Sequence, residues 1–104
     1  MVGFVFDIYF MEKVYIYSLS CPKTSKIRYV GKTNNLKTRL LDHICKGKRN
    51  GKKAYTHCWI NSLIKESYEP VMEILDIVDV DEWEFWEMYW ISQAKQWGFN
   101  LTNA

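Results

Sequence analysis

Two short runs rich in apolar and aromatic residues, 14–19 (VYIYSL) and 27–32 (IRYVGK), are joined through Cys-Pro-Lys-Thr-Ser at 21–25. A connection built from Pro, Ser and Thr turns the chain, so the two runs predict an antiparallel hairpin. Whatever else the chain does, it must build around that ribbon. Asn34 or Asn35 caps a helix running to about Lys46, with Leu36, Leu40, Leu41 and Ile44 as its apolar stripe. KGKRNGKK, residues 46–53, reads as a basic loop broken by two glycines. Residues 54–66 predict a second helix through Trp59, Ile60, Leu63 and Ile64. Pro70 introduces VMEILDIV as a third strand, and an amphipathic helix runs from Asp81 to Gln96, where Gly98 ends it. The order β-β-α-α-β-α predicts an α/β fold, a small three-stranded and mainly antiparallel sheet flanked by helices.

The length of 104 residues suits one domain, 1–104, with one modest core. Residues 1–11 are expected to be a peripheral extension, with Met11 available as an alternative start, and the C-terminus is expected to be truncated from something longer. MVGFVFDIYF lacks a basic n-region and contains Asp7, which makes it a poor signal peptide. No apolar run is long enough to span a membrane. Cys21, Cys45 and Cys58 are odd in number and follow no CxxC spacing. Reduced thiols are therefore expected, and with them a cytoplasmic location, that of a host cell if the chain is phage-encoded. The spacing of His43, Cys45, His57 and Cys58 matches no common zinc pattern.

A net charge of +2 hides a strong asymmetry: residues 1–65 carry thirteen Lys or Arg against three acids, and residues 66–104 carry one Lys against nine. Such segregation fits either a solvated basic face or a surface that meets a polyanion, here DNA. On the second reading Lys32, Lys37, Lys46, Lys48, Arg49, Lys52 and Lys53 are the candidate DNA contacts.

The last helix breaks a rule of helix patterning. At about 100° per residue, Trp83, Trp90, Ile91, Ala94 and Trp97 form one apolar stripe, and Glu87 falls in its middle. A carboxylate among tryptophans is unfavourable unless a cation or strong donors receive it. It is then either the structural partner of a buried Arg or Lys, or a metal ligand at the base of a cleft. On the first helix, Arg39 and His43 stand at i and i+4 on the edge of the apolar stripe, while Asp42 points elsewhere. Either they are an ordinary surface pair or they line a cleft. Tyr15 and Tyr17 share a strand face, and Tyr29 precedes Gly31, where the missing side chain lets a backbone or a phosphate come close. Strand tyrosines are ordinarily packing residues. No Lys has an acid two positions before it, so the D/E-x-K core of restriction-type folds is absent, and two His leave little for an HNH site.

Taken together these pieces have an order. A strand containing Tyr15-Ile16-Tyr17 is followed a dozen residues after Tyr17 by Tyr29-Val30-Gly31. Arg39 comes ten residues after Tyr29, then His43, then Glu87-Met88-Tyr89-Trp90-Ile91 and Gly98-Phe99-Asn100. This arrangement, over residues 13–103, resembles the GIY-YIG nucleases of intron-encoded homing endonucleases, some restriction enzymes and excision-repair nucleases. Ile27 to His43 is most similar to the phage and bacterial subgroup. Two departures stand out: the Gly of the first motif is Tyr15, and the second motif reads Tyr-Val-Gly. The resemblance implies a metal-dependent DNA endonuclease, the catalytic domain of a longer homing- or restriction-type enzyme. It implies Glu87 as ligand to one Mg²⁺ or Mn²⁺, Arg39 on the scissile phosphate, Tyr17 as general base, and Tyr29 and His43 positioning the water or relaying protons. Asn100 would pin the helix end or the metal's waters, with Asn103 the weaker choice. A monomer is expected. Two other classes compete: a basic module that binds nucleic acid without cutting it, and an interaction domain whose Trp83, Trp86, Trp90 and Trp97 form an exposed dimer patch.

Overall fold

The computed structural model describes residues 12–49 and 54–103. The chain runs β1 (Lys13–Ser20), β2 (Ile27–Thr33), α1 (Leu36–Lys48), α2 (Tyr55–Lys65), β3 (Val71–Asp79), a 3₁₀ turn (Val80–Glu82) and α3 (Trp83–Gln96). The expected order is the observed one, and the sheet is antiparallel throughout in the order β2-β1-β3. Residues 1–11 and the middle of the basic segment, including Lys52 and Lys53, lie outside the described residues.

β1 is the central strand, and its alternation makes two cores. Tyr17, Leu19 and Cys21 pack with Trp59, Ile60 and Leu63 of α2, flanked by Leu36 and Leu40 of α1. Val14 and Ile16 face the other way and pack with Val30, Val78 and Ala94, flanked by Trp83, Trp86, Trp90 and Ile91 of α3. The sheet therefore separates the α1–α2 layer from α3. Any group that needs both sides must meet at a sheet edge.

Two sequence expectations are corrected. The first helix does not stop at Lys46 but runs through Gly47 to Lys48. Gly47 is buried there, and a Cβ on it would come within 2.5 Å of Ile60 Cγ2. Close approach of α2, and not a loop, is what this glycine provides. Trp97 lies just past α3 and is 58 % exposed, so it leaves the apolar stripe, while Trp86 joins it. Asn103 ties the chain after α3 to β2. Its Oδ1 accepts from Val30 N–H at 3.0 Å and its Nδ2 donates to Val30 O at 2.7 Å, while Thr102 N–H donates to Arg28 O. Gly98, at φ +91°, ends α3 and sends the chain to that edge of β2.

Candidate active site

The site begins with a cross-strand pair. Tyr17 on β1 stands opposite Gly31 on β2, and Tyr29 is two residues back on the same face as Gly31. A Cβ at Gly31 would lie 2.6 Å from Tyr29 Cε2 and 2.8 Å from the Tyr17 hydroxyl oxygen. The space that the glycine leaves is filled by the chain's own two tyrosines. It is not open to a phosphate, contrary to the expectation from sequence. The missing side chain lets the Tyr17 ring lie across β2 and bring its hydroxyl to α1.

There the hydroxyl meets two groups one helical turn apart. His43 Nε2 lies 2.8 Å from the Tyr17 oxygen, and Arg39 Nε donates to that oxygen at 3.1 Å. The Tyr29 ring closes the cluster, edge-on to His43 with centroids 5.1 Å apart. Burial is the main influence on both titratable partners. It holds the Tyr17 hydroxyl well above the usual tyrosine range, with Tyr29 adding to the rise and Arg39 opposing it. It pushes His43 down to about 4, helped by the Arg39 charge. At neutral pH the imidazole is therefore neutral and can accept a proton.

Asp42, expected to point away, does not. Arg39 Nη1 donates to Asp42 Oδ2 at 2.8 Å, and Lys46 lies 3.1 Å from the same oxygen. Lys46 first, and Arg39 after it, hold that carboxyl below its usual range. The i,i+3 and i,i+4 spacings that make these pairs are visible in the sequence. Asp42 fixes the guanidinium plane, so Arg39 meets Tyr17 in one orientation.

At the end of β2 a cavity of about 370 Å³ is lined by Glu12, Val14, Lys32, Thr33, Asn34, Arg39, Val80 and Trp83. Two cations converge on it. Lys32 Nζ sits 4.4 Å over the Trp83 ring, a cation–π contact that holds the ammonium at the α3 side. Glu87 is half-buried on α3 and is not among the cavity's lining residues. Burial raises its pKa, the Lys32 charge opposes this, and Glu84 adds to it. Lys32 thus connects the Arg39 cavity to Glu87 around the sheet edge. Glu87 makes no hydrogen bond or ion pair with any described residue, and Lys32 is the cation whose charge acts on it.

The remaining candidates lie apart. Asn100 is exposed, its backbone carbonyl accepts from Arg28 Nε at 2.8 Å, and it borders a second cavity beside Tyr55, Trp59 and Thr102. Lys37 stands by an apolar groove with Leu36, Leu40, Met72 and Ile74. Lys46 is held by Asp42, and Lys48 and Arg49 are exposed at the end of α1. His57, which sequence reasoning leaves without a role, has its ring 6.2 Å from that of His43. No motif contains it, and only the packing of α2 on α1 brings it there. Among the described residues no group of three or more His, Cys, Asp or Glu side chains could hold a metal ion, and no helix is long and apolar enough to cross a membrane.

In comparison with known protein families, the model of the GIY-YIG catalytic domain matches residues 13–100. No curated protein and no solved structure matches the chain.

Proposed function

From the fact that the chain belongs to the GIY-YIG catalytic-domain family, a family of nucleases, we propose that it is a DNA endonuclease that hydrolyses phosphodiester bonds with one Mg²⁺ or Mn²⁺. The observation that carries this reading is Arg39, which lines a cavity together with Lys32 and donates to the hydroxyl of Tyr17 buried behind it. Pure phosphate binding needs cations but no aligned hydroxyl, and no acid facing inward beside them.

In this reading the scissile phosphate lies at the Arg39–Lys32 cavity. Arg39, held flat by Asp42, offers its planar fork to the charge that builds on the phosphate. Tyr17 takes the proton of the attacking water. Its hydroxyl is a poor base by itself, since burial disfavours the phenolate. The neutral His43 imidazole next to it is placed to receive the hydroxyl proton, and the Arg39 charge lowers the cost of the phenolate. Tyr29 packs both rings in place. Glu87 fits a hard cation: one carboxylate, partly desolvated and without an ion-pair partner, suits a metal that completes its shell with water and phosphate oxygens. When bound there, the cation would neutralise phosphate charge and assist the leaving oxygen. Asn100 is placed to hold the chain after α3 through its contact with Arg28, a supporting role.

The same reading makes the chain the cutting part of a homing- or restriction-type enzyme, active as a monomer inside a cell. Lys32, Lys48 and Arg49, with Lys52 and Lys53, supply the DNA-facing charge. Incubation with supercoiled, linear and branched DNA, with and without Mg²⁺, tests the proposal. Nicking that appears only with the metal is expected. DNA that is retarded on a gel yet stays intact under both conditions would leave a binding module in its place.

A further inference from the structure

His43 carries one group that the catalytic reading does not use. Its ring is 1 % exposed, and its Nδ1 is buried with no hydrogen-bond partner among the described residues. Arg39 decides which tautomer the ring holds. A guanidinium only donates, so Arg39 Nε–H points at the Tyr17 oxygen and the hydroxyl proton is left to point at His43 Nε2. Nδ1 then bears the ring hydrogen. The opposite tautomer would leave the Nδ1 lone pair without a donor and turn the Tyr17 proton away from His43, towards Tyr29. A buried N–H without an acceptor is rare in folded proteins and calls for a reason.

The next ring outward is that of His57 on α2, with centroids 6.2 Å apart and planes at 58°. His57 is half-buried, so it reaches from the cluster towards solvent. Burial first, then the Lys46 and Arg39 charges, favour its neutral form. We propose that His57 is a positioning and proton-exit residue for the Tyr17–His43 pair, receiving the His43 Nδ1 proton when a side-chain rotation brings the two rings into hydrogen-bond reach, and passing it to solvent. The inference rests on the reading of Tyr17 as the base for the attacking water.

Atoms and charge balance along this route. The water gives its proton to the Tyr17 oxygen as the hydroxyl proton moves to His43 Nε2, and its hydroxide oxygen bonds to phosphorus as the bond from phosphorus to the leaving ester oxygen breaks, that oxygen taking one proton from bulk water. The Nδ1 proton of His43 goes to the nearer ring nitrogen of His57, whose far nitrogen releases one proton to bulk water. Each side chain ends with the charge it began with. The groups facing His57 from α1 are His43, Arg39, Asp42, Lys46 and Arg49, and Tyr29 of β2 lies behind His43. The cations among them discourage a proton from resting on His57 and so favour its loss to solvent.

Ring ¹⁵N NMR of the protein without DNA or metal tests the arrangement directly. His43 is expected as the Nδ1–H tautomer in the wild type, a measurement that needs no variant. In His57→Gln, which keeps a polar side chain but cannot carry the proton, exchange of that Nδ1 proton with water should slow about tenfold or more. An Nε2–H tautomer, or an unchanged exchange rate, overturns the proposal whether or not the protein cuts DNA. In single-turnover cleavage with Mg²⁺, His57→Gln should bind DNA as the wild type does, cut about tenfold more slowly, and regain most of the rate with added imidazole, as loss of a proton-transfer step requires. His57→Asn serves alike should the Gln variant not fold. An unaltered rate, or a loss that imidazole leaves in place, overturns it too. A wild type that does not cut at all would instead sink the nuclease reading, and the NMR result would still decide His57.

Discussion

On the α1 side of the sheet, Tyr17, His43, Arg39 and Asp42 hold one another in a chain of three hydrogen bonds. On the α3 side, Glu87 stands half-buried beside tryptophans with no such bond to any described residue. Apart from His43 Nδ1, the first arrangement is satisfied within the chain, so removing one member strands its neighbours. The second is a desolvated acid that the fold gains nothing by keeping. Groups of the first kind serve both the fold and the chemistry, whereas a group of the second kind is explained only by what it would bind.

Glu87→Gln puts this contrast to its sharpest test. Cleavage should disappear while DNA binding stays nearly intact, and thermal stability should hold or rise, because a partly buried charge has been removed. A clear fall in melting temperature would show that Glu87 has a structural partner after all, and retained cleavage would remove it from the chemistry. Glu84→Ala, on the exposed face, should be close to silent.

Arg39→Lys comes next in size. It keeps the charge and most of the affinity but loses the planar fork, so single-turnover cleavage at saturating protein should fall roughly 10²–10³-fold, as for loss of one transition-state charge donor. A rate within about threefold of wild type would break the role given to Arg39.

Gly31→Ala drives a methyl group into the Tyr29 ring and the Tyr17 hydroxyl. Urea unfolding should show a loss of about 1–3 kcal/mol, the usual cost of forcing extra volume into a packed site, together with slower cutting. Unchanged stability would mean that the two rings can move aside.

Acid should separate the two sides by sign. His43 is held down to about 4 against an ordinary 6.5, so its contribution to stability is present above 6.5 and is lost as pH falls towards about 4. Glu87 is held above its ordinary 4.5, so acid relieves it and stability from that side rises as pH falls. Urea midpoints followed from pH 7 to 4 should drop for the wild type, drop less for His43→Gln and drop more for Glu87→Gln. Three parallel curves would contradict the burial of both groups.

The smallest effect is expected at the exposed end of α1. Neutralising Lys48 and Arg49 should weaken DNA binding for every sequence alike and reduce the log–log salt slope by about 0.9 for each phosphate no longer neutralised. An unchanged slope would show these two cations to be solvated surface.

The element order and the odd placement of Glu87 can be read from the sequence, because both are matters of period: two for the strands and 3.6 for α3. What the pattern misses depends on packing between elements. Gly47 looks like a helix breaker, yet it sits in α1 because Ile60 packs where its side chain would be and Asn61 Nδ2 donates to its carbonyl at 2.7 Å. Gly31 looks like an opening and is filled by two rings from the same face. Asn100 and Asn103 differ only in which reaches β2, and that follows from the turn at Gly98. His57 belongs to no pattern at all. Asp42 is the exception, since its partners at three residues before and four after are on view.

The amide of Asn103 occupies the N–H and C=O of Val30 much as the backbone of a neighbouring strand would. A foreign strand that tried to add there would find those groups taken. The other edge, β3, pairs only with β1 among the described residues and exposes Ile74 and Ile77. Among the described residues, self-association of this sheet is therefore favoured at one edge, with Glu73 and Asp76 along β3 as the charges that discourage it. High salt or acid, which mutes those charges, is the condition under which the protein should first come out of solution, and it should do so by its β3 edge.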